Sequence, residues 1–170
     1  LLNVCKAMFL LRGEMKIPLV VIGDGGKYKQ QVKDFVLQHG LQERIIFLSD
    51  NENARSLASF KSAADFPAIY QQAVAMIYPS TFEGFGIPVL EALNSGLPVI
   101  TSNISCLPEA GGDAAYYVNP LVAEEIAAGM KEIYSNKEGA ELMQQKGYEH
   151  AALFSPQRCA GKVMEVYQSL

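Results

Sequence analysis

An α/β domain, an open parallel sheet with helices on both faces, is the fold class this sequence predicts, and three observations predict it. Short apolar runs rich in β-branched residues alternate with amphipathic stretches of helical period. The connections between them are short enough for parallel crossover units. The chain's 170 residues, with 49% hydrophobic and 19% charged, suit one packed domain.

The elements follow in order. Leu1, Val4, Cys5, Met8, Leu11 and Met15 recur at i, i+3, i+4 spacing, which predicts a helix over Leu1 to Met15 that loosens at Gly13. After Pro18, the run Leu19 to Ile22 reads as a strand buried on both faces, ended by Gly23, Asp24, Gly25 and Gly26. Tyr28, Val32, Phe35 and Val36 share one face of a second helix, Lys27 to His39, stopped by Gly40, and Arg44 to Leu48 is a second strand. Ser49 to Ser62 turns polar and reads as an inserted surface excursion with room for a short helix. A weak helix over Ala64 to Ala73 precedes a third strand, Val74 to Tyr78. Pro88 suits the first turn of a helix over Ile87 to Asn94, and Gly96 ends it. Pro98 to Thr101 and Ala115 to Val118 complete five strands, and three amphipathic helices close the chain at Glu124 to Tyr134, Lys137 to Leu153 and Pro156 to Ser169. The whole is a Rossmann-like domain, in which ligands bind outside the carboxyl ends of the strands, so the loops after Ile22, Leu48, Tyr78 and Thr101 carry the interest.

Composition narrows the function classes. Fourteen basic against eighteen acidic residues give a net charge of -4 with no basic tract, which argues against nucleic acid as a partner. The longest apolar runs fall far short of the roughly 20 residues a membrane-spanning helix needs. Cys5, Cys106 and Cys159 lie far apart and predict a reduced, cytoplasmic setting. His39 and His150 have no Cys or His near them at ligand spacing, so no metal site is expected and both read as surface or helix-end residues. The chain starts at Leu1 with no signal-peptide pattern, and reads as a piece of something longer.

The densest chemical signal is the loop Pro79-Ser80-Thr81-Phe82-Glu83-Gly84-Phe85-Gly86-Ile87-Pro88, which runs into a helix carrying Glu91. Gly84 and Gly86 let the backbone approach a ligand, and the N–H groups from Gly86 through Ile87 at the helix start suit a phosphate. Glu83 and Glu91 suit hydroxyl pairs on one elongated ligand. The same residues also suit a plain strand-to-helix turn, with Glu83 favouring the helix N-terminus electrostatically. Gly23 to Gly26 lacks the third glycine and the ribose-binding acid of a dinucleotide fingerprint. Ser102 to Gly112, with Ser105, Pro108 and Glu109, reads as a rigid connector that matters only if it faces Glu83.

Pro79-Ser80, Glu83 to Ala92, Gly96 to Ile100 and Ser102 to Glu109 together resemble the donor-binding half of GT-B retaining glycosyltransferases of family 4, and Glu83 and Glu91 match that family's E-x7-E motif. Gly23-Asp24-Gly25, the segment from Gly40-Leu41 to Phe47-Leu48, Asn119-Pro120 and Phe154-Ser155 stand in the family's order, so the resemblance covers nearly the whole chain. It implies one donor-binding domain over residues 1–170, with Glu83 as the catalytic contact to the donor sugar. It further implies that Gly84, Phe85, Gly86 and Ile87 serve sugar and diphosphate, that Glu91 holds the ribose, and that the base lies near Phe47 and Leu48. The implied reaction moves a sugar from a nucleotide-sugar to a glycan, lipid or small-molecule acceptor, with retained configuration and no metal or other cofactor. Implied partners are the donor, the acceptor and an N-terminal Rossmann domain; association of the whole enzyme with the inner membrane surface is compatible with this. Two departures stand out. The family's diphosphate-binding Arg and Lys are missing, Lys6 not being at the matching place, and the polar excursion is longer than usual. The domain's first strand is also missing, which predicts that its neighbours pair directly or that a second copy lends a strand in a dimer. A sugar-nucleotide epimerase and a non-catalytic nucleotide-sugar sensor share the same features.

Overall fold

The computed structural model describes residues 1–169 and places five strands and ten α-helices among them. Helix α1 (Leu2–Leu10) leads to β1 (Leu19–Val21), α2 (Gly26–Gln38) and β2 (Ile45–Phe47). Three short helices, α3 (Glu52–Ser56), α4 (Ala58–Lys61) and α5 (Phe66–Gln72), precede β3 (Met76–Tyr78) and α6 (Ile87–Asn94). After β4 (Val99–Ser102), α7 (Leu107–Gly111) and β5 (Ala115–Val118) come α8 (Ala123–Ser135), α9 (Lys137–Ala151) and α10 (Pro156–Gln168).

All strand pairs are parallel, as the alternation of strands and helices predicts. They form two blocks: β1 lies beside β2 in the register Val20 with Ile46, and β4 lies between β3 and β5 in the registers Ile77 with Ile100 and Ile100 with Tyr116. The expected direct pairing of β1 with β3 does not occur. An apolar cavity of about 690 Å3 lies where they would meet, lined by Leu19 to Ile22 on one side and Val74 to Ser80 on the other, with Met130 and Ile133 of α8 against it. Each of the two strands is paired along one edge only, the edge away from the gap. The Leu19 N–H donates to Arg44 O at 2.8 Å and the Met76 N–H to Pro98 O at 2.8 Å, so the alternate residues Val20 and Ile77 turn their backbone groups toward the gap.

Two apolar clusters hold the blocks. Val4, Cys5, Ala7 and Met8 of α1 pack with Ile126, Met130 and Ile133 of α8, Val32 and Val36 of α2, and Ile100 of β4. Burial pushes the Cys5 thiol up to about 11, so it packs as a small apolar group. The second cluster joins Val89, Ala92 and Leu93 of α6 to Val99, Leu107 and Ala110 and positions the loop after β3. Strand β4 is buried at every residue, which is why its polar Thr101 and Ser102 must find partners inside the fold.

Some element boundaries depart from expectation. Helix α1 ends at Leu10, and Leu11 to Glu14 form a turn that keeps Leu11 and Met15 buried. The polar excursion is not one loop: a 3₁₀ turn at Leu48–Asp50 precedes α3 and α4, and Asn51 caps α3 by accepting from the Ala54 N–H at 3.1 Å. His39 ends α2, its ring stacked on Phe35 at 4.0 Å, and His150 sits in the last turn of α9. No described helix is long and apolar enough to cross a membrane.

Candidate functional site

The loop between Tyr78 and Ile87 leaves β3 at its carboxyl end and is fastened to β4 by hydroxyls. Thr101 Oγ1 donates to Tyr78 O at 2.9 Å, and Ser102 Oγ donates to Ser80 O, so the two buried polar residues of β4 extend the ladder past the last paired strand residue. Ser80 Oγ then donates to Phe82 O at 3.1 Å, which folds the tip and leaves Phe82 82% exposed.

Glu83 is held at both ends. Its carbonyl accepts from Ser105 Oγ at 3.1 Å and from Cys106 Sγ at 3.3 Å. Its carboxylate Oε1 accepts from the Tyr78 hydroxyl at 2.6 Å, and Glu83 is among the residues lining the cavity between the strand blocks. Burial, with the Glu83 carboxylate second, holds the Tyr78 phenol well above the usual tyrosine range, so it stays protonated and keeps its donor. The segment read as a mere connector therefore does face Glu83: it forms the one-turn helix α7, and Ser105 takes a left-handed φ of 58° to present its hydroxyl.

The glycines on either side of Phe85 have different roles. Gly86 caps α6 at φ 95°, and a Cβ there would stand 3.0 Å from Ala110 Cβ and Leu107 Cδ2, so α6 starts where α7 leaves room for no side chain. Gly84 is exposed, and a Cβ there would meet nothing within 4 Å. The first turn of α6 uses the Val89 and Leu90 N–H groups on Gly86 O, and Pro88 has none to offer. The amides of Gly84, Phe85, Gly86 and Ile87 have no acceptor within the described chain, which makes a run of donors at a helix start. The Phe85 ring turns away to pack on Phe154, 5.6 Å between centroids, and Phe154 lies 5.3 Å from the His150 ring. Glu83 makes no capping bond to α6, its carboxylate being turned to Tyr78.

Glu91 stands on the exposed side of α6 beside Tyr70, whose phenol is pushed up by burial first and by the Glu91 charge second. Tyr70 and Tyr78 belong to the same apolar cluster under the loop. Phe47 and Leu48 are half-buried at the carboxyl end of β2. Beside them sits a cluster that no sequence motif marks: Lys29 Nζ donates to Asp24 at 2.9 Å, Ser49 at 3.0 Å and Asp50 at 2.6 Å, and Lys33 reaches Asp50 at 2.7 Å. Both ammonium groups lie over the Phe47 ring, 5.9 and 5.6 Å from its centroid. Lys29 and Ser49, which donates to Gly23 O at 2.7 Å, tie the glycine turn after β1 to the turn after β2. The four charged residues, Asp24, Lys29, Lys33 and Asp50, are spread over residues 24 to 50 and give no short-range signal of this. Among the described residues, no three His, Cys, Asp or Glu side chains cluster as a metal site would require.

Known proteins resemble this chain in sequence and in fold. Residues 1–150 match the family described as glycosyl transferases group 1. The O-antigen chain mannosyltransferase B of Escherichia coli is 35% identical over 156 residues, 92% of this chain and 38% of that protein. The O-antigen chain mannosyltransferase RfbU of Salmonella typhimurium is 33% identical over 102 residues, 60% of this chain and 26% of that protein. The chain thus spans well under half the length of these curated relatives. Among solved structures, the C-terminal domain of a glycosyl transferase group 1 family protein (LpcC) from Francisella tularensis superposes with a TM-score of 0.74 at 25% identity, covering 90% of this chain and 77% of that one. Matched over most of its length in sequence and in fold, this chain belongs to the glycosyl transferases group 1 family.

Proposed function

We propose that this chain is the donor-binding domain of a retaining glycosyltransferase, which moves a sugar from a nucleotide-sugar to an acceptor. The observation that carries the reading is the run of four unpartnered amides from Gly84 to Ile87, beside the Glu83 carboxylate that Tyr78 orients. A diphosphate takes the amides, because helix-start N–H groups and the helix dipole favour an anion. The same donors stabilise the charge that builds on the diphosphate as the sugar departs. Glu83 accepts from donor-sugar hydroxyls, Glu91 holds the ribose, and the base lies toward Phe47 and Leu48. Mannose is the first sugar to test, since two relatives carry mannosyltransferase in their names.

In this reading the domain needs no metal, works in the cytoplasm, and completes its site with an N-terminal domain that holds the acceptor. Orienting two reactants supplies up to roughly 7–11 kcal/mol of barrier lowering, and this domain orients only the donor. The 170-residue chain alone therefore binds donor without transferring it. A thermal-shift screen with UDP, GDP and ADP and their common sugar conjugates tests the reading. Stabilisation by at least one nucleotide-sugar beyond its bare nucleotide is expected; no stabilisation by any of them contradicts it.

A further inference from the structure

Resting on that reading, we propose that Tyr78 is the positioning residue for Glu83, its hydroxyl fixing the carboxylate so that the second oxygen meets the donor sugar. The Tyr78 O–H donates to Oε1 at 2.6 Å, while Oε2 has no hydrogen-bond partner within the described chain. A carboxylate has about four acceptor sites, so one oxygen held by the protein leaves the other free for a sugar hydroxyl. Tyr78 can hold it because its own backbone is fixed: it ends β3, and buried Thr101 donates to its carbonyl at 2.9 Å. The glutamate's backbone is fixed independently, through Ser105 and Cys106 on its carbonyl. What remains free is the rotamer of a long flexible side chain, and the phenol restricts it before the ligand arrives.

The bond is not needed to build the loop. The start of α6 is set by Gly86 against Leu107 and Ala110, and the path from Tyr78 to Ser80 is set by Thr101 and Ser102. A hydroxyl whose removal leaves those contacts intact acts on Glu83 and on little else. Its burial and the adjacent carboxylate keep it protonated, so it remains a donor across the working pH range.

The test is Tyr78→Phe, which deletes one oxygen and keeps the ring, read by the affinities of the folded chain for GDP and GDP-mannose, UDP and UDP-N-acetylglucosamine, and ADP and ADP-glucose. For the pair that wild type binds best, the nucleotide-sugar should weaken about tenfold while its nucleotide changes less than about twofold. Glu83→Gln should give a loss of the same kind, and the double variant should lose no more than Glu83→Gln alone, because the phenol acts only through the carboxylate. Should the Phe variant fail to fold, Tyr78→Met, which also lacks the donor, reads the same quantity. Unchanged nucleotide-sugar affinity, equal weakening of nucleotide and nucleotide-sugar, or additive losses in the double variant overturns the positioning role. A wild-type chain that prefers no nucleotide-sugar over its nucleotide, or a Glu83→Gln variant that loses nothing, overturns the functional reading and this role with it.

Discussion

Gly84 and Gly86 look alike in sequence, and replacing each by alanine should have opposite consequences. At Gly86 the backbone sits at φ 95°, ψ 35°, a left-handed conformation that costs an L-residue roughly 1–2 kcal/mol. The new methyl would also stand 3.0 Å from Ala110 Cβ, which cannot rotate away, and 3.0 Å from Leu107 Cδ2, a fully buried side chain. Overpacking of that kind adds about 1–3 kcal/mol. Gly86→Ala should therefore lose about 2–5 kcal/mol, which for a domain of this size lowers Tm by about 4–20 °C. At Gly84 the methyl meets nothing within 4 Å, so Gly84→Ala should unfold within about 0.5 kcal/mol of wild type. Its effect should fall on the ligand: a methyl on the open side of the amide run keeps a diphosphate from the backbone, and nucleotide affinity drops. Urea unfolding of the three proteins and calorimetric titration of the folded ones measure both quantities. Equal stabilities for the two variants would refute the packing argument, and undiminished nucleotide binding by Gly84→Ala would refute the placing of the ligand.

Glu91→Gln should weaken the bare nucleotide and its nucleotide-sugar by the same factor, measured by titration, because its proposed partner is the ribose common to both. Lys29 holds the Asp24 and Asp50 carboxyls below the usual aspartate value of 3.8, chiefly by its hydrogen bonds to them. Depressed carboxyl values contribute stability that is present above pH about 4 and is lost as pH falls below it, so Lys29→Met should flatten the stability curve in that acid range, as urea midpoints across pH 2.5–6 will show. The gap between β1 and β3 should leave the amides of Val20 and Ile77 exchanging with solvent much faster than those of Leu19 and Met76, by hydrogen-exchange NMR. Protection of Val20 and Ile77 at high chain concentration alone would show that a second copy supplies the expected strand.

The period of the apolar residues made the order of elements legible, but not their burial: Leu19 to Ile22 reads as a strand buried on both faces, whereas Val20 and Val74 are exposed and β3 is only half-buried, because β1 and β3 each have a partner strand on one edge only. The ends of those elements were not legible, because contacts made far along the chain decide them. Helix α1 stops at Leu10 although Leu11 and Met15 beyond it stay buried in the same cluster, and α7 forms because Leu107 and Ala110 close onto α6. In the candidate site, the position of Glu83, Gly86 and Glu91 on a strand-to-helix turn was legible from the spacing of a strand, a glycine turn and a helix. That Gly86 serves packing while Gly84 stays open depends on α7, some twenty residues later, and no local pattern carries it. Tyr78 read as the last residue of a buried strand; its five-residue separation from Glu83 becomes a hydrogen bond only once the loop has folded back. The Lys29 cluster joins the turns after β1 and β2, which the parallel pairing of those strands brings together.

The most direct test of donor binding is a ¹⁵N–¹H NMR titration of the isotopically labelled chain, carried out in EDTA, with the nucleotide-sugar that stabilises it best. Shift changes should concentrate in the amides of Glu83 to Ile87 and reach Phe47 and Leu48, with the bare nucleotide reproducing those at Phe47 and Leu48 but not those at Glu83. Binding that leaves Gly84 to Ile87 unmoved, or that vanishes when EDTA is added, would contradict it.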